Sequence, residues 1–239
     1  MMNRTAVTSL LALVTMTALL AGCGSGWSAT GETRTDTVSF DRDDAKSARV
    51  ELSMGGGELR VDSGTSKLME GTFSYNVADW KPVVDHRPGG TMGELRISQP
   101  NSSGSSFGGT VNKWDVRLNG DLPLDVEASL GAGEANLALG KMNLSRVDMS
   151  IGAGQLSMDL RGAPKRDYTV HIRGGAGETV VYLPKDVGIS ATATKGIGDI
   201  SIEGLENRNG MWINPDRIGA PVTVRLDVKS GVGQIRLIR

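Results

Sequence analysis

A chain of 239 residues with 26 basic and 27 acidic side chains has a formal charge of −1, which excludes the strongly basic face of a nucleic-acid binder. Its single cysteine excludes a disulfide framework, and its two histidines, His86 and His171, sit in unrelated contexts with no metal-site spacing around them. Glycine is abundant at 33 residues, but the glycines keep register with a repeat, so low-complexity disorder does not account for them.

Residues 1–22 read as a lipoprotein signal peptide. Arg4 supplies a positive start, and Ala6 to Leu20 is a mostly apolar run, too short for a span that needs about 20 residues. Leu20-Ala21-Gly22-Cys23 resembles the bacterial lipobox, which implies lipid attachment at Cys23. An ordinary secretory signal with a chance cysteine is the alternative. Gly24 implies, by the same resemblance, no inner-membrane retention. The expected location is the extracytoplasmic side of the cell envelope, on the outer membrane where there are two. Residues 23–36 are small and polar apart from Trp27 and read as a flexible tether.

One continuous β domain is expected over 37–239, because no stretch shows a long 3.6-residue apolar period. Residues 37–118 read as its N-terminal strands and cap. Ala48 to Met54 alternates, meets Gly55-Gly56-Gly57 and continues as Leu59-Arg60-Val61, a detached copy of the later repeat unit. Leu68–Tyr75 and Gly93–Ser98 read as strands, and Asn101 to Gly109 as a Ser/Gly loop. Trp80 and Trp114 are expected to pack in this irregular segment and cap one end of a stack.

Residues 119–239 carry the repeat. Gly131, Gly152, Gly175, Gly196 and Gly231 each open a G-x-G-[E/D/Q] motif, with steps of about 21, 23, 21 and 35 residues. Leu122, Leu124, Val126, Ala128 and Leu130 hold one parity before the first motif; Ala135, Leu137 and Leu139 hold the other after it. Strand side chains alternate faces, so a parity switch across two glycines predicts a bend that re-aims the core face. Coils of this length stacked in parallel predict a β-solenoid, similar to a single-stranded β-helix. An antiparallel β-sandwich with each G-x-G as a hairpin turn is the alternative. In the solenoid, the extra sequence from Glu203 to Asp216 would project from a corner and expose Trp212.

Gly71-Thr72-Phe73-Ser74-Tyr75-Asn76, Trp80-Lys81-Pro82, Trp114-Asp115-Val116-Arg117-Leu118, Leu122-Pro123-Leu124-Asp125-Val126 and the run Leu130 to Leu137 resemble the toast-rack domain. The resemblance spans about 48–239. It implies a β-helical or solenoid-like stack without a known catalytic centre, in the company of LiaF-like envelope-stress regulators. The lipobox in place of transmembrane helices departs from the LiaF-like pattern, since a wholly exported chain cannot touch a cytoplasmic kinase.

No chemistry-bearing motif competes with that reading. The G-x-G motifs lack the third glycine and the following helix of a dinucleotide site, and no serine sits in G-x-S-x-G. Glu58, Glu134, Gln155, Glu178, Asp199 and Gln234 follow the glycines. The last five are expected to form a corner column, with Glu178 and Asp199 as direct neighbours. Their repulsion leaves two readings of Glu134, Glu178 and Asp199: solvated corner carboxylates, or a column that holds a cation.

The expected function is therefore a non-enzymatic, lipid-anchored interaction or stress-sensing module that meets an envelope protein or peptide. It carries no cofactor, metal or catalytic residue. The alternative is a polysaccharide-active enzyme or carbohydrate-binding protein on a β-helix, which would need carboxylates such as Asp85, Asp115 and Asp125 to cluster. At the C-terminus, Val222–Val228 and Gln234–Arg239 read as strands, the second forming the free edge of the stack. That edge could dock a second protomer or a partner strand, or be kept clear of pairing by Arg225, Lys229, Arg236 and Arg239.

Overall fold

The computed structural model describes residues 30–100 and 109–239. The signal peptide, Cys23, Trp27, residues 24–29 of the tether and residues 101–108 of the Ser/Gly loop lie outside the described residues. The strands are β1 (Arg34–Phe40), β2 (Ser47–Thr65), β3 (Met69–Tyr75), β4 (Val83–Arg87), β5 (Met92–Ser98), β6 (Asn112–Asn119) and β7 (Leu124–Ala138). They continue with β8 (Leu144–Asp159), β9 (Tyr168–Tyr182), β10 (Gly188–Glu203), β11 (Glu206–Arg208), β12 (Met211–Ile213) and β13 (Thr223–Ile238). One sheet holds them in the order β1-β3-β6-β2-β7-β8-β9-β13-β10-β12-β11, with β5 also beside β2 and β4 beside β5.

Each repeat forms one long strand bent at its glycines. In β7, Leu124, Val126, Ala128 and Leu130 are buried on the first arm, and Ala135 and Leu137 on the second, which is the parity switch the sequence predicts. Gly133 makes the bend with φ of 132°, a conformation that glycine adopts without a Cβ clash. A Cβ there would also run into the carbonyl oxygen of Gly57 on the neighbouring coil. Gly154, Gly177, Gly198 and Gly233 repeat this geometry, so the glycine column is required both by backbone conformation and by the coil spacing.

Stacking converts the alternation into apolar columns. Leu95, Val50, Val126, Val147, Val170, Leu226 and Ala191 share one register position on the first arms. Trp114, Leu59, Ala135, Leu156, Thr179, Ile235 and Ile200 share one on the second arms. The turns between coils add Leu139, Leu160 and Leu183, all fully buried, on the remaining side. Both arms and these turns contribute to one core cluster. At about 1.5–3 kcal/mol per large aliphatic side chain, these columns are the main favourable contribution to the stack.

The all-β, solenoid-like repeat is thus the observed fold, and the antiparallel sandwich is overturned. β2, β7, β8, β9, β13 and β10 pair in parallel along both arms. Antiparallel pairs occur at the ends: β1 with β3, β3 with β6, β4 with β5, and the β11–β12 hairpin against β10. The irregular segment proves to be a split coil. β5 lies on the first arm of β2 and β6 on its second arm, so together they replace one bent strand. Gln99 and Asn112 close the gap where the glycines would be: Gly55 N–H and Asn112 Nδ2 both donate to Gln99 Oε1 at 2.9 Å, and Asn112 Nδ2 also donates to Gly56 O at 2.7 Å.

Three expectations are corrected. The C-terminal strand is not the edge: β13 lies between β9 and β10, paired with each over its whole length. A homo-oligomer through that strand therefore loses its premise, since both of its sides are occupied. The excursion after Glu203 does not project from a corner but folds across the end of the stack. Its hairpin pairs with Ser190 and Ala191, and Asn214 clamps it by accepting from Ile189 N–H and donating to Val187 O, both at 2.7 Å. Trp212 consequently packs half-buried against the core instead of standing free. The first strand, β1, begins at Arg34, and Asp36 on it accepts from Tyr75 Oη at 2.8 Å and pairs with Lys81 at 3.1 Å.

Candidate functional site

The outward side chains of the first arms form three rows across the stack, and this face carries the densest polar chemistry. The outermost row reads Glu94, Arg49, Asp125, Arg146, Thr169, Arg225, Ser190. The middle row reads Arg96, Glu51, Glu127, Asp148, His171, Asp227, Thr192, and the row beside the corner Ser98, Ser53, Ser129, Ser150, Arg173, Lys229, Thr194. Neighbouring strands lie about 4.8 Å apart, so Glu51, Glu127 and Asp148 place three carboxylates in direct succession.

Cations on the same face offset most of this repulsion. Arg96 pairs with Glu51 at 2.7 Å and Arg49 with Asp125 at 3.8 Å, while Arg146 makes two bonds to Asp148. The Arg146 hydrogen bonds hold the Asp148 carboxyl below the usual carboxylate range. Lys229 and Thr192 do the same for Asp227, bonded at 2.9 and 3.0 Å. Glu127 makes no ion pair among the described residues. It borders two shallow concavities, of about 390 and 320 Å³. Arg173, Ser129 and Ser150 line both the first of these and a third of about 500 Å³ that reaches the glycine corner.

The sequence-predicted residues scatter over this framework. Asp125 lies on the first-arm face, Asp85 lies on β4 paired with Arg87 at 3.0 Å, and Asp115 faces outward from the second arm. No fold contact brings the three into one cleft. His86 stacks on Phe40, with ring centroids 4.7 Å apart, whereas His171 sits between Asp148 and Asp227 on the first-arm face. Trp114 is fully buried, its Nε1 donating to Asn112 Oδ1 at 3.1 Å, and Trp80 packs with Tyr75 and Val77 in a small separate cluster.

The corner column is present but in a different order. Insertion of β13 places Gln234 between Glu178 and Asp199, so they are not neighbours. The column runs Lys113, Glu58, Glu134, Gln155, Glu178, Gln234, Asp199. Acids and amides alternate from Glu134 onward, which separates like charges by two strand spacings. The one adjacent acidic pair, Glu58 and Glu134, is met by Lys113 at 3.0 Å and by an Asn136 amide bond of 2.8 Å. Among the described residues no group of three or more His, Cys, Asp or Glu side chains has metal-binding geometry.

The first-arm rows and the strand order are what residue-level reading missed. Each strand's outward residues are visible in the sequence, but their neighbours across the stack depend on register, which the G-x-G spacing alone sets only for consecutive coils.

Comparison with known proteins gives the same architecture. The profile of the N-terminal domain of toast_rack, DUF2154, matches residues 29–182. The structure of a "putative cell adhesion protein" from Clostridium sporogenes is 31% identical with a TM-score of 0.83, the match covering 86% of this chain and 99% of that one. A "putative adhesin" from Bacteroides fragilis matches at 9% identity and a TM-score of 0.33, over 87% of this chain and 97% of that one. No curated protein matches. The profile match, the 31% identical structure and the bent parallel coils agree, and the chain belongs to the toast-rack family.

Proposed function

We propose that this chain is a non-catalytic adhesion module of the cell envelope, tethered by a lipid on Cys23 and presenting the first-arm face to its surroundings. The observation that carries the reading is the 31% identity and TM-score of 0.83 to the Clostridium sporogenes protein over 99% of that chain. The face supports it physically. Ion pairs hold Arg96 with Glu51, Arg49 with Asp125, Arg146 with Asp148 and Lys229 with Asp227 on this face, so those side chains lose less order when a polar partner docks. A stress-sensing role would use the same face but requires a membrane-spanning partner, because a lipid anchor ends within the bilayer.

Beads coated with the leaderless chain should adhere to intact cells or isolated envelopes more than albumin-coated beads do. Charge reversal at Arg49, Arg146 and Arg173 should reduce that adhesion. Equal retention of coated and control beads would refute the adhesion reading. Release of reducing ends from envelope polysaccharide would instead favour the enzyme alternative. Separately, Cys23→Ser should move the protein from the membrane to the soluble fraction. Unchanged membrane retention would remove the anchor from the proposal.

A further inference from the structure

Among the described residues, the insertion of β13 leaves one stretch of the repeat strands without a neighbour on one side. On the first arm of β10 the far side is paired with β12, but on the second arm, Asp199 to Glu203, only the β13 side is paired. Glu203 O accepts from Arg239 N–H on the β13 side at 3.2 Å. Alternation along a parallel strand then turns the N–H and C=O groups of Ile200 and Ile202 toward the open side. Their side chains, which continue the second-arm core columns, are only half-buried there. Outward on the same stretch stand Asp199, Ser201 and Glu203, all exposed. Neither carboxylate makes an ion pair among the described residues; Arg236, opposite Ser201 between them, pairs with Glu178 at 3.8 Å.

We infer that this edge is a β-augmentation site for an extended polypeptide segment that alternates apolar and basic residues. The apolar positions would lie in the columns of Ile200 and Ile202, and the basic ones beside Asp199 and Glu203. β13 presents a related alternation on the filled side, where Gln234, Ile235, Arg236, Leu237 and Ile238 oppose Asp199, Ile200, Ser201, Ile202 and Glu203, so that its arginine stands between the two carboxylates. A second copy of the chain is a poor occupant in either arrangement. Antiparallel self-pairing centred on Ser201 sets Asp199 against Glu203, and like charges directly opposite destabilise. Head-to-tail stacking would bring the free edge at the other end, β1, alongside in parallel. The register through β3, β6 and β2 puts Asp36 of β1 in the Ile200 column, so its carboxylate would be buried against isoleucine. Inward-pointing charge is a known device for keeping an edge unpaired, and β1 carries it where β10 does not. At the corner end, the Lys195 ammonium covers the Gly198 carbonyl and limits the open stretch to the residues after it. This site does not depend on the adhesion reading, because it lies at the end of the stack and not on the first-arm face.

The probe is a capped peptide with the sequence of Gly233–Arg239, against a control in which both arginines are glutamate. With the full leaderless chain, fluorescence anisotropy should show the basic peptide binding about tenfold more tightly than the control, the preference shrinking with added salt. Amide shifts should centre on Ile200 and Ile202. Ile202→Pro removes an outward N–H without touching the bonds to β13 and should abolish binding. The double change Asp199→Lys and Glu203→Lys, at exposed positions that leave the fold intact, should reverse the preference. Lys195→Ala should tighten binding by freeing the Gly198 carbonyl. Equal binding of the two peptides, shifts centred on β1 or β4, or no anisotropy change up to about 1 mM peptide would overturn the inference. So would a dimer of the free chain that Ile202→Pro dissolves, since the occupant would then be a second copy. Loss of cell adhesion with peptide binding intact would refute the proposed function and leave this site standing.

Discussion

Three glycine-to-alanine changes separate the two demands that the corners make. Gly64 has φ of 122° with open space where a Cβ would go, so Gly64→Ala tests backbone strain alone. Gly131 is not in the positive-φ region, but a Cβ there would run into the Gly55 carbonyl, so Gly131→Ala tests crowding between coils alone. Gly133→Ala imposes both. Positive-φ strain costs about 1–2 kcal/mol for a residue with a Cβ, and overpacking about 1–3 kcal/mol. The loss of unfolded-state freedom returns about 0.4–1 kcal/mol in every case. The net expectation is about 1 kcal/mol for Gly64→Ala, about 1–2 kcal/mol for Gly131→Ala and about 2–4 kcal/mol for Gly133→Ala. With a urea m-value of about 2–3 kcal/mol/M, Gly133→Ala should lower the midpoint by about 1 M. Urea unfolding of the three variants side by side is the assay. If Gly133→Ala unfolds at the same midpoint as Gly64→Ala, the carbonyl column does not constrain the corner and the reasoning fails.

Leu237 is fully buried on β13, so Leu237→Ala should cost about 2–5 kcal/mol; a loss below about 1 kcal/mol in chemical denaturation would contradict the interior placement of that strand. Asn112→Ala should cost about 1–3 kcal/mol by leaving the Trp114 indole N–H without its acceptor in the core, and a red-shifted tryptophan emission should accompany it. Hydrogen bonds from Arg146 and Arg161 hold Asp148 and Asp159 below the ordinary carboxylate range. A carboxyl whose folded pKa is lowered stabilises the fold fully above its unfolded value near about 4 and loses that contribution as pH falls through the lowered value. The melting temperature should accordingly fall steeply below about pH 4. A melting temperature that instead rises on acidification below that point would contradict the assignment.

The bend was legible because Leu130 and Ala135 lie on opposite parities around Gly131 and Gly133, and only a change of core face reconciles them. Parallel stacking was legible from the step length. The strand order was not. The second arms of β10 and β13, Gly198-Asp199-Ile200-Ser201-Ile202 and Gly233-Gln234-Ile235-Arg236-Leu237, have the same alternation, so either fits beside β9. Only the charge column favours the observed order, since placing Asp199 beside Glu178 would set like charges together. The split coil was hidden for a different reason. Gln99 and Asn112 do by side-chain hydrogen bonding what glycines do elsewhere, and neither residue marks a motif. The first-arm rows became visible only once register joined residues from seven strands.

The position of β13 also bears on the order in which the molecule can form. A chain emerging N-terminus first can lay coils β7, β8 and β9 against β2 as each appears, since every new strand meets the previous one. β10 breaks this succession, because its partner comes later in the sequence and must enter between it and β9. Until β13 arrives, β10 either waits with only the β11–β12 hairpin beside its first arm or pairs wrongly with β9, in a register that the matching alternation permits. Closing the stack then requires that false pair to separate, a long-range step of the kind that slows folding and exposes strand edges meanwhile. The slowest phase of refolding should therefore belong to the β9–β13–β10 end of the molecule, while the other end is already native.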